Sequence, residues 1–192
     1  VCPVICFPGA QSTPDAVFPN NVFATTPGRL IIGHMRHPIR RQETQRPDIR
    51  GFFTDTLGYR EIDLSTQAGI CELTGSLIID RARGIGYHGL TERLNVAGAK
   101  ATHAAFGLRL SLLFRLAPGE YHTNVVMAVL AGRALVLHRE SIVDEGVADA
   151  IAAGAPLAKR ATTRAPAAVG SSDSSYQRPG STSPGVSPGS PS

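Results

Sequence analysis

A histidine and a glutamate, two side chains that can take part in acid–base chemistry, each lie just before an apolar segment. His122 follows the turn at residues 118–119 and precedes the apolar run 125–130, and Glu72 opens a similar segment upstream. An imidazole gives and takes protons near neutral pH more readily than other side chains do. The pattern therefore predicts proton-transfer chemistry at the end of a buried sheet.

The elements that must position these side chains lie before about residue 155, where strand-length apolar runs alternate with helical spacing. Gly58 and Gly107 are predicted to end the first two helices. The predicted helices span 38–57, 95–106 and 144–153, and the predicted strands span 22–25, 29–33, 60–64, 76–80, 84–88, 111–116, 125–130 and 134–138.

Three segments repeat one pattern, in which a polar pair is followed by a strand, a glycine turn and a second strand. They begin near Asn20-Asn21, Thr74-Gly75 and Thr123-Asn124, about 50 residues apart. Propellers share this period but not the intervening helices. The repeat predicts an array of similar modules that places its polar pairs, together with Glu72 and His122, around one centre.

Four motifs then resemble the guanidine-modifying enzymes of the pentein fold, which include arginine deiminases, dimethylarginine hydrolases, amidinotransferases and citrulline-hydrolysing relatives. The motifs are PDAVFPNN at 14–21, ELTGS at 72–76, GLTERLN at 89–95 and YHTNV at 121–125. Their order and spacing fit that family jointly over residues 13 to 153. The resemblance implies an α+β fold (an α/β propeller) of five ββαβ modules around a pseudo-fivefold axis, of which this chain has room for about three.

The family's reaction is the attack of a cysteine thiolate on the planar carbon of a guanidine or ureido group. The resemblance makes His122 the general acid–base and Glu72 the carboxylate that grips the nitrogens. It also makes Arg93 a candidate for binding the substrate's carboxylate. Further substrate-binding candidates come from the matching motifs, and they are Asp15, Asn20, Asn21 and Asn124.

Two departures from the family change the expected function. Asn20 and Asn21 stand where many members have acidic residues, and amides favour a neutral ureido substrate such as citrulline over arginine. No cysteine follows Cys71, whose side chain is expected to point away from that of Glu72. We therefore expect a relative whose ancestral reaction is cysteine-dependent hydrolysis or transfer at the guanidino or ureido carbon of an arginine- or citrulline-like amino acid, and which is inactive because truncation or a frameshift has removed the cysteine. The alternative is a catalytically silent remnant that binds a ligand or has no function.

Composition leaves few other partners. The chain has 192 residues, a formal charge of +4 and three cysteines, which predict neither a disulfide framework nor a metal site, and no cofactor is expected. The arginine-rich stretch 36–50 is diluted by Glu43 and Asp48 and is interpreted as a solvated helix face, not a nucleic-acid site. The glycine pattern at 84–89 resembles a dinucleotide-binding fingerprint, but turn and strand glycines explain it better.

The chain is predicted to contain three regions. Residues 1–12 form an N-terminal extension or remnant, 13–155 a partial pentein domain, and 156–192 a disordered tail rich in Ala, Ser, Pro and Gly. No apolar run is long enough to cross a bilayer, which favours a cytoplasmic protein with no membrane partner. Missing modules would leave strand edges open, so self-association is expected.

Overall fold

The computed structural model describes residues 4–130 and 133–154. The predicted disordered tail and the first three residues lie outside the described residues. No helix in the described part is long and apolar enough to span a membrane. Residues 4–10 have no regular secondary structure, but Phe7 packs edge-on against Phe52 with ring centroids 5.7 Å apart.

Eight short strands form three sheets in three successive hairpin units. The first unit is β1 (Phe23–Thr26), β2 (Arg29–Ile32) and β3 (Arg60–Asp63); the second is β4 (Leu77–Asp80), β5 (Ile85–Leu90) and β6 (Leu110–Arg115); the third is β7 (Met127–Leu130) and β8 (Ala134–Leu137). In each unit the first two strands are antiparallel, and in the first two units a third strand joins the second in parallel. All eight predicted strands occur and repeat in the predicted order, with bounds that differ from the prediction by up to two residues.

These sheets are small and open, and no closed sheet occurs in the described part of the chain. The mixed α/β architecture is consistent with the pentein fold. The propeller and the fivefold axis stay predictions.

Each hairpin is preceded by a short polar helical turn. These turns are the 3-10 turn Pro19–Asn21, the one-turn helix α3 (Leu73–Ser76) and the 3-10 turn Thr123–Val125, and α3 contacts both of the others. The predicted strand start at Val125 is therefore wrong, as is the one at Ser76. The Val126 N–H bonds to the Thr123 carbonyl at 3.1 Å, so this backbone is committed to the turn before the ladder begins.

The predicted continuous helix 38–57 is wrong. The segment instead contains α1 (Pro38–Arg41), a 3-10 turn at Glu43–Gln45, α2 (Pro47–Gly51) and a π-helical turn at Phe52–Thr56. Pro47 has no N–H to continue the helix and holds the preceding residue, Arg46, in an extended conformation with ψ 101°. Gly58, with φ +67°, stops the segment as predicted.

The other helices follow their sequence signals. Helix α4 (Val96–Phe106) starts where the Asn95 side chain accepts the Gly98 N–H at 2.8 Å, and it ends at the left-handed Gly107. Helix α5 (Val147–Gly154) begins three residues later than predicted.

Two apolar clusters join the units. The first packs Ile31 of β2 against Leu77 of β4 and Ala105 of α4, and the second packs Phe114 of β6 against Leu137 of β8 and Ile151 of α5. Each cluster lies where one unit meets the next, because a three-stranded sheet this small cannot bury its own apolar face.

The glycines at 84–89 have a structural use. Gly84 turns the β4–β5 hairpin with φ +65°, and a Cβ on Gly86 would lie 2.5 Å from the Leu108 Cδ1 atom. A Cβ on Gly89 would lie 2.7 Å from Leu116 Cδ1. The pattern therefore serves a turn and close packing within a strand.

The arginine-rich stretch is not the predicted solvated helix face. Arg40 is buried and pairs with Glu43 at 2.9 Å, Arg46 pairs with Asp48, and Arg50 bonds to acidic residues of β3. These guanidinium groups bind carboxylates of the chain itself, so the segment presents few free charges for an external phosphate.

Candidate active site

Glu72 is the buried centre of the polar turns. It lies immediately before α3, its side chain is fully buried, and its Oε2 lies 2.9 Å from His122 Nε2. The Arg93 Nη1 group donates to both carboxylate oxygens at 3.1 and 3.2 Å. The Arg36 backbone N–H donates to Oε1 at 3.1 Å. A fully buried carboxylate is thus surrounded by donors from three separate segments.

These contacts decide the charge of the Glu72 carboxyl. Burial alone raises its pKa, because desolvation disfavours the charged form. The hydrogen bond with His122, the charge of Arg93 and the Arg36 N–H outweigh burial and hold the pKa below its ordinary value. Glu72 is therefore ionised at neutral pH.

His122 is positioned by the residue that follows it. The hydroxyl of Thr123 donates to the Ser76 carbonyl at 2.6 Å and accepts the Gly89 N–H at 2.9 Å. This fixes the turn that carries His122. Because the ionised Glu72 only accepts hydrogen bonds, His122 Nε2 must carry a proton, which assigns Nδ1 as the ring nitrogen able to exchange a proton elsewhere.

Gly75 permits the close approach of these turns. A Cβ there would lie 2.3 Å from Asn21 Oδ1 and 3.0 Å from His122 Nδ1. The Thr74 hydroxyl donates to the Asn20 carbonyl at 2.9 Å, which ties the first turn to α3. Only a residue without a side chain fits at position 75.

A cavity of about 360 Å³ opens beside these turns. The structure brings six of the seven residues predicted from the sequence to its wall, and they are Asp15, Asn20, Asn21, Arg93, His122 and Asn124. Glu72 does not line the cavity but lies behind His122 and Arg93. The roles assigned to these residues stay predictions.

Arg40 and Tyr121 also line the cavity, and neither was among the predicted site residues. Arg40 Nη2 donates to the carbonyls of Asp15 and Phe18 at 3.2 and 3.1 Å, which braces the loop that carries Asp15. The Tyr121 ring lies 4.8 Å from that of His122. The only sequence signal for Arg40 is its spacing to Glu43, which is equally typical of a surface helix pair.

Arg93 is shared between two carboxylates. Its Nη1 binds Glu72 and its Nε donates to Glu92 Oε1 at 3.3 Å, while Nη2 has no partner among the described residues. Thr91 holds the backbone here, because its hydroxyl accepts the Arg93 N–H at 3.0 Å and donates to the Tyr121 carbonyl at 2.9 Å. One arm of the guanidinium thus stays available on the cavity wall.

Neither described cysteine is placed for chemistry in this cavity. Cys71 is fully buried in the first apolar cluster, and this burial raises its pKa to about 11. Its Sγ lies 3.9 Å from Gln67 Nε2. Cys6 is exposed in the N-terminal segment, and Cys2 lies outside the described residues. Within the described ranges, no three His, Cys, Asp or Glu side chains cluster in a way that would hold a metal ion.

The sequence matches one family profile, described as N,N dimethylarginine dimethylhydrolase, eukaryotic, over residues 2–155. Among curated proteins none matches the sequence.

Solved structures share the fold. The N-terminal domain of ArgZ, an arginine dihydrolase of the cyanobacterial ornithine–ammonia cycle, was solved as a cysteine-to-serine mutant bound to substrate; it matches with TM-score 0.69 and 20% identity, over 82% of this chain and 56% of that one. A dimethylarginine dimethylaminohydrolase from Pseudomonas aeruginosa, also a cysteine-to-serine mutant and complexed with citrulline, matches with TM-score 0.59 and 22% identity, over 73% and 53%. The chain thus spans about half the length of these structures.

Proposed function

The chain belongs to the N,N-dimethylarginine dimethylhydrolase family, within the guanidine-modifying enzymes of the pentein fold, and from this premise we propose that its cavity binds a guanidino or ureido amino acid. The observation that carries the proposal is the convergence of six predicted side chains from three hairpin units on one cavity beside the Glu72–His122 pair. The reaction class that the family implies for such a site is hydrolysis at the guanidino or ureido carbon.

Each end of such a substrate has a matching partner. The Nη2 group of Arg93, which has no partner among the described residues, suits the substrate's carboxylate because it can donate a charge-assisted hydrogen bond. At the other end, Asp15 supplies a carboxylate, and Asn20 and Asn21 supply amides that both donate and accept hydrogen bonds. Amides suit the neutral ureido group, so we favour citrulline over arginine as the tighter ligand.

His122 is the acid–base residue in this proposal. The ionised Glu72 fixes the ring through Nε2 and stabilises the imidazolium, while Nδ1 exchanges a proton with the departing amine and then with water. Glu72 acts through His122 and Arg93 and is a positioning residue. The family resemblance implied instead that Glu72 binds the substrate nitrogens directly. We favour the positioning role because the two carboxylate oxygens of Glu72 already accept four hydrogen bonds.

We further propose that this chain binds the substrate without turning it over. A thiolate must reach the planar carbon, and neither Cys6 nor Cys71 lines the cavity. The high pKa of the buried Cys71 also keeps it protonated at neutral pH.

Binding of citrulline to the full chain, measured by calorimetry, tests the proposal. Arg93→Gln is expected to weaken binding about tenfold, as removal of a charge-assisted contact does. The exposed Arg60 of β3 offers a matched control, and Arg60→Gln should leave the affinity unchanged. Absence of binding by the folded wild type, or equal losses in both variants, contradicts the proposed site.

A turnover assay tests the second part of the proposal. Wild-type chain incubated with citrulline and with dimethylarginine is expected to release neither ammonia nor dimethylamine. Turnover that disappears in Cys71→Ser would show that the buried thiol is the nucleophile after all.

Association is a separate proposal. β8 pairs only with β7 among the described residues, whereas β2 and β5 each pair with two strands. The free edge of β8 is the surface through which we propose that copies associate. A monodisperse monomer across a wide concentration range in size-exclusion chromatography contradicts it.

A further inference from the structure

A second cavity, of about 280 Å³, lies between α4 and β6 and shares no lining residue with the candidate active site. Four of its lining residues are polar or charged: Lys100 and His103 of α4, Arg109, and Ser111 of β6. No sequence motif assigned to the first cavity reaches it.

A chain of three side chains runs from the core to this cavity. His88 of β5 is fully buried, and its Nε2 lies 3.0 Å from the Ser111 hydroxyl oxygen. The same oxygen lies 2.9 Å from His103 Nδ1. Ser111 therefore lies between two imidazoles, one in the interior and one on the cavity wall.

The burial of His88 determines which groups donate and which accept in these hydrogen bonds. His88 is neutral at physiological pH, because burial lowers its pKa to about 4, and so it carries a single ring proton. Its Nδ1 is buried and has no hydrogen-bond partner among the described residues, and a buried N–H without an acceptor is rarer and more costly than a bare lone pair. The proton therefore sits on Nε2 and is donated to Ser111.

The remaining hydrogen bonds follow from that choice. Having accepted a proton from His88, the Ser111 hydroxyl donates its own to His103 Nδ1. His103 Nδ1 is then an acceptor, so its Nε2 carries the ring proton. The buried His88 thus determines, through Ser111, that His103 Nε2 is a hydrogen-bond donor on the wall of the cavity.

The charges around the cavity have one sign. Residues 94–119 contain no acidic residue, and neither Lys100 nor Arg109 forms an ion pair within the part of the chain that the structure describes. The Arg109 Nε donates to the Arg83 carbonyl at 3.0 Å, which anchors the guanidinium. Elsewhere in the described part of the chain, seven arginines have carboxylate partners, among them Arg40, Arg50 and Arg115.

We infer that this cavity binds a phosphate monoester with a small apolar body. Lys100, Arg109 and the His103 Nε2–H supply donors and positive charge for a dianionic oxyanion. The apolar side chains of Ala99, Leu110 and Leu113 complete the lining and receive the organic part of the ligand. A free phosphate would use the donors and leave that apolar surface uncovered.

Phenyl phosphate titrated into the full chain, followed by the imidazole NMR signals of His88 and His103, tests the inference. Saturable shifts of the His103 signals are expected, with an affinity at least about fivefold above that of inorganic phosphate because the ring buries apolar surface. Arg109→Gln should weaken binding about tenfold. The exposed Arg133, on the β7–β8 turn, provides a control of equal charge, and Arg133→Gln should not change the affinity.

Three outcomes overturn the inference. They are the absence of saturable shifts at His103, equal losses in the two arginine variants, and binding of benzoate as tight as that of phenyl phosphate. Ser111→Ala adds an independent readout. It should change the tautomer of His103, seen in its ring nitrogen shifts, and an unchanged tautomer overturns the proposed chain of hydrogen bonds.

Discussion

The two most buried imidazoles of the structure have opposite surroundings. His122 lies 2.9 Å from the ionised carboxylate of Glu72, whereas the one hydrogen-bond partner of His88 among the described residues is the Ser111 hydroxyl, at 3.0 Å. Burial disfavours the charged form of any imidazole, and a carboxylate within hydrogen-bonding distance opposes that effect while a hydroxyl does not. Two similarly buried imidazoles thus differ in their partners: one lies beside a carboxylate, at the site of the proposed acid–base role, and the other is neutral at physiological pH beside a hydroxyl.

Removing the carboxylate from the first pair is expected to have the largest effect. Glu72→Gln leaves the partly buried Arg93 guanidinium with only the exposed Glu92 as a carboxylate partner, and loss of one member of a buried pair typically costs about 3–5 kcal/mol of unfolding free energy. Urea denaturation measures it. Glu92→Gln, which alters an exposed carboxylate beside the same arginine, should cost under about 1 kcal/mol, and similar losses in both variants would contradict the buried pair.

The buried His88, paired with Ser111, predicts a pH dependence of the free energy of unfolding. The folded-state pKa of His88 is lowered to about 4 from an ordinary 6.5, so between these values the unfolded chain binds the extra proton. Stability contributed by neutral His88 is therefore complete above pH 6.5 and decreases by about 3 kcal/mol as the pH falls toward 4. The contribution of Glu72, whose pKa is also lowered, is lost at lower pH, below the ordinary 4.5 of a glutamate.

Denaturation curves at a series of pH values separate these two contributions. His88→Gln should flatten the stability profile between pH 6.5 and 4, whereas His138→Gln, which alters a partly exposed histidine, should keep it. An unchanged slope in His88→Gln would show that another group is responsible.

The hydroxyl between the two imidazoles should have the smallest effect. Ser111→Ala removes the one hydrogen-bond partner that His88 has within the described ranges, and it is expected to cost about 1–3 kcal/mol, the usual penalty for a buried polar group left unsatisfied. Ser65→Ala is the comparison, since that hydroxyl bonds to Asp63 near the surface and its loss should cost less. Equal stability of wild type and Ser111→Ala would remove the contrast between the two histidines.

Local patterns made the strands predictable, but not the short helical turns that precede them. The polar pairs at Asn20 and Thr123, followed by apolar residues and a glycine, recur with the same order in each hairpin unit, and the antiparallel ladders formed there. The main error in the predicted helices was the continuous helix over residues 38–57. Pro47 interrupts that segment because it has no backbone N–H to continue the helix, although the apolar spacing is otherwise helical.

Contacts between distant residues were not predictable in the same way. Glu72 has the type and spacing of a substrate-binding carboxylate, but its position behind His122 depends on Arg36 and Arg93, which lie 36 and 21 residues away. Arg40 reads as a surface residue because its partners at Asp15 and Phe18 precede it by more than 20 residues. The His88–Ser111–His103 chain has no local signature at all, since it forms only when α4 packs on the sheet.

The hydroxyl of Thr123 has a consequence for local opening of the protein. The hydroxyl belongs to the turn that starts the third hairpin unit, and it accepts the hydrogen bond of the Gly89 amide, which belongs to the second unit. That amide can exchange its hydrogen with solvent only when the two units separate, so its exchange rate reports the free energy of undocking. Strand amides within β5 report the opening of their own sheet instead. Faster exchange of the Gly89 amide than of the strand amides would show that the turn bearing His122 detaches before the sheet of the second unit unfolds.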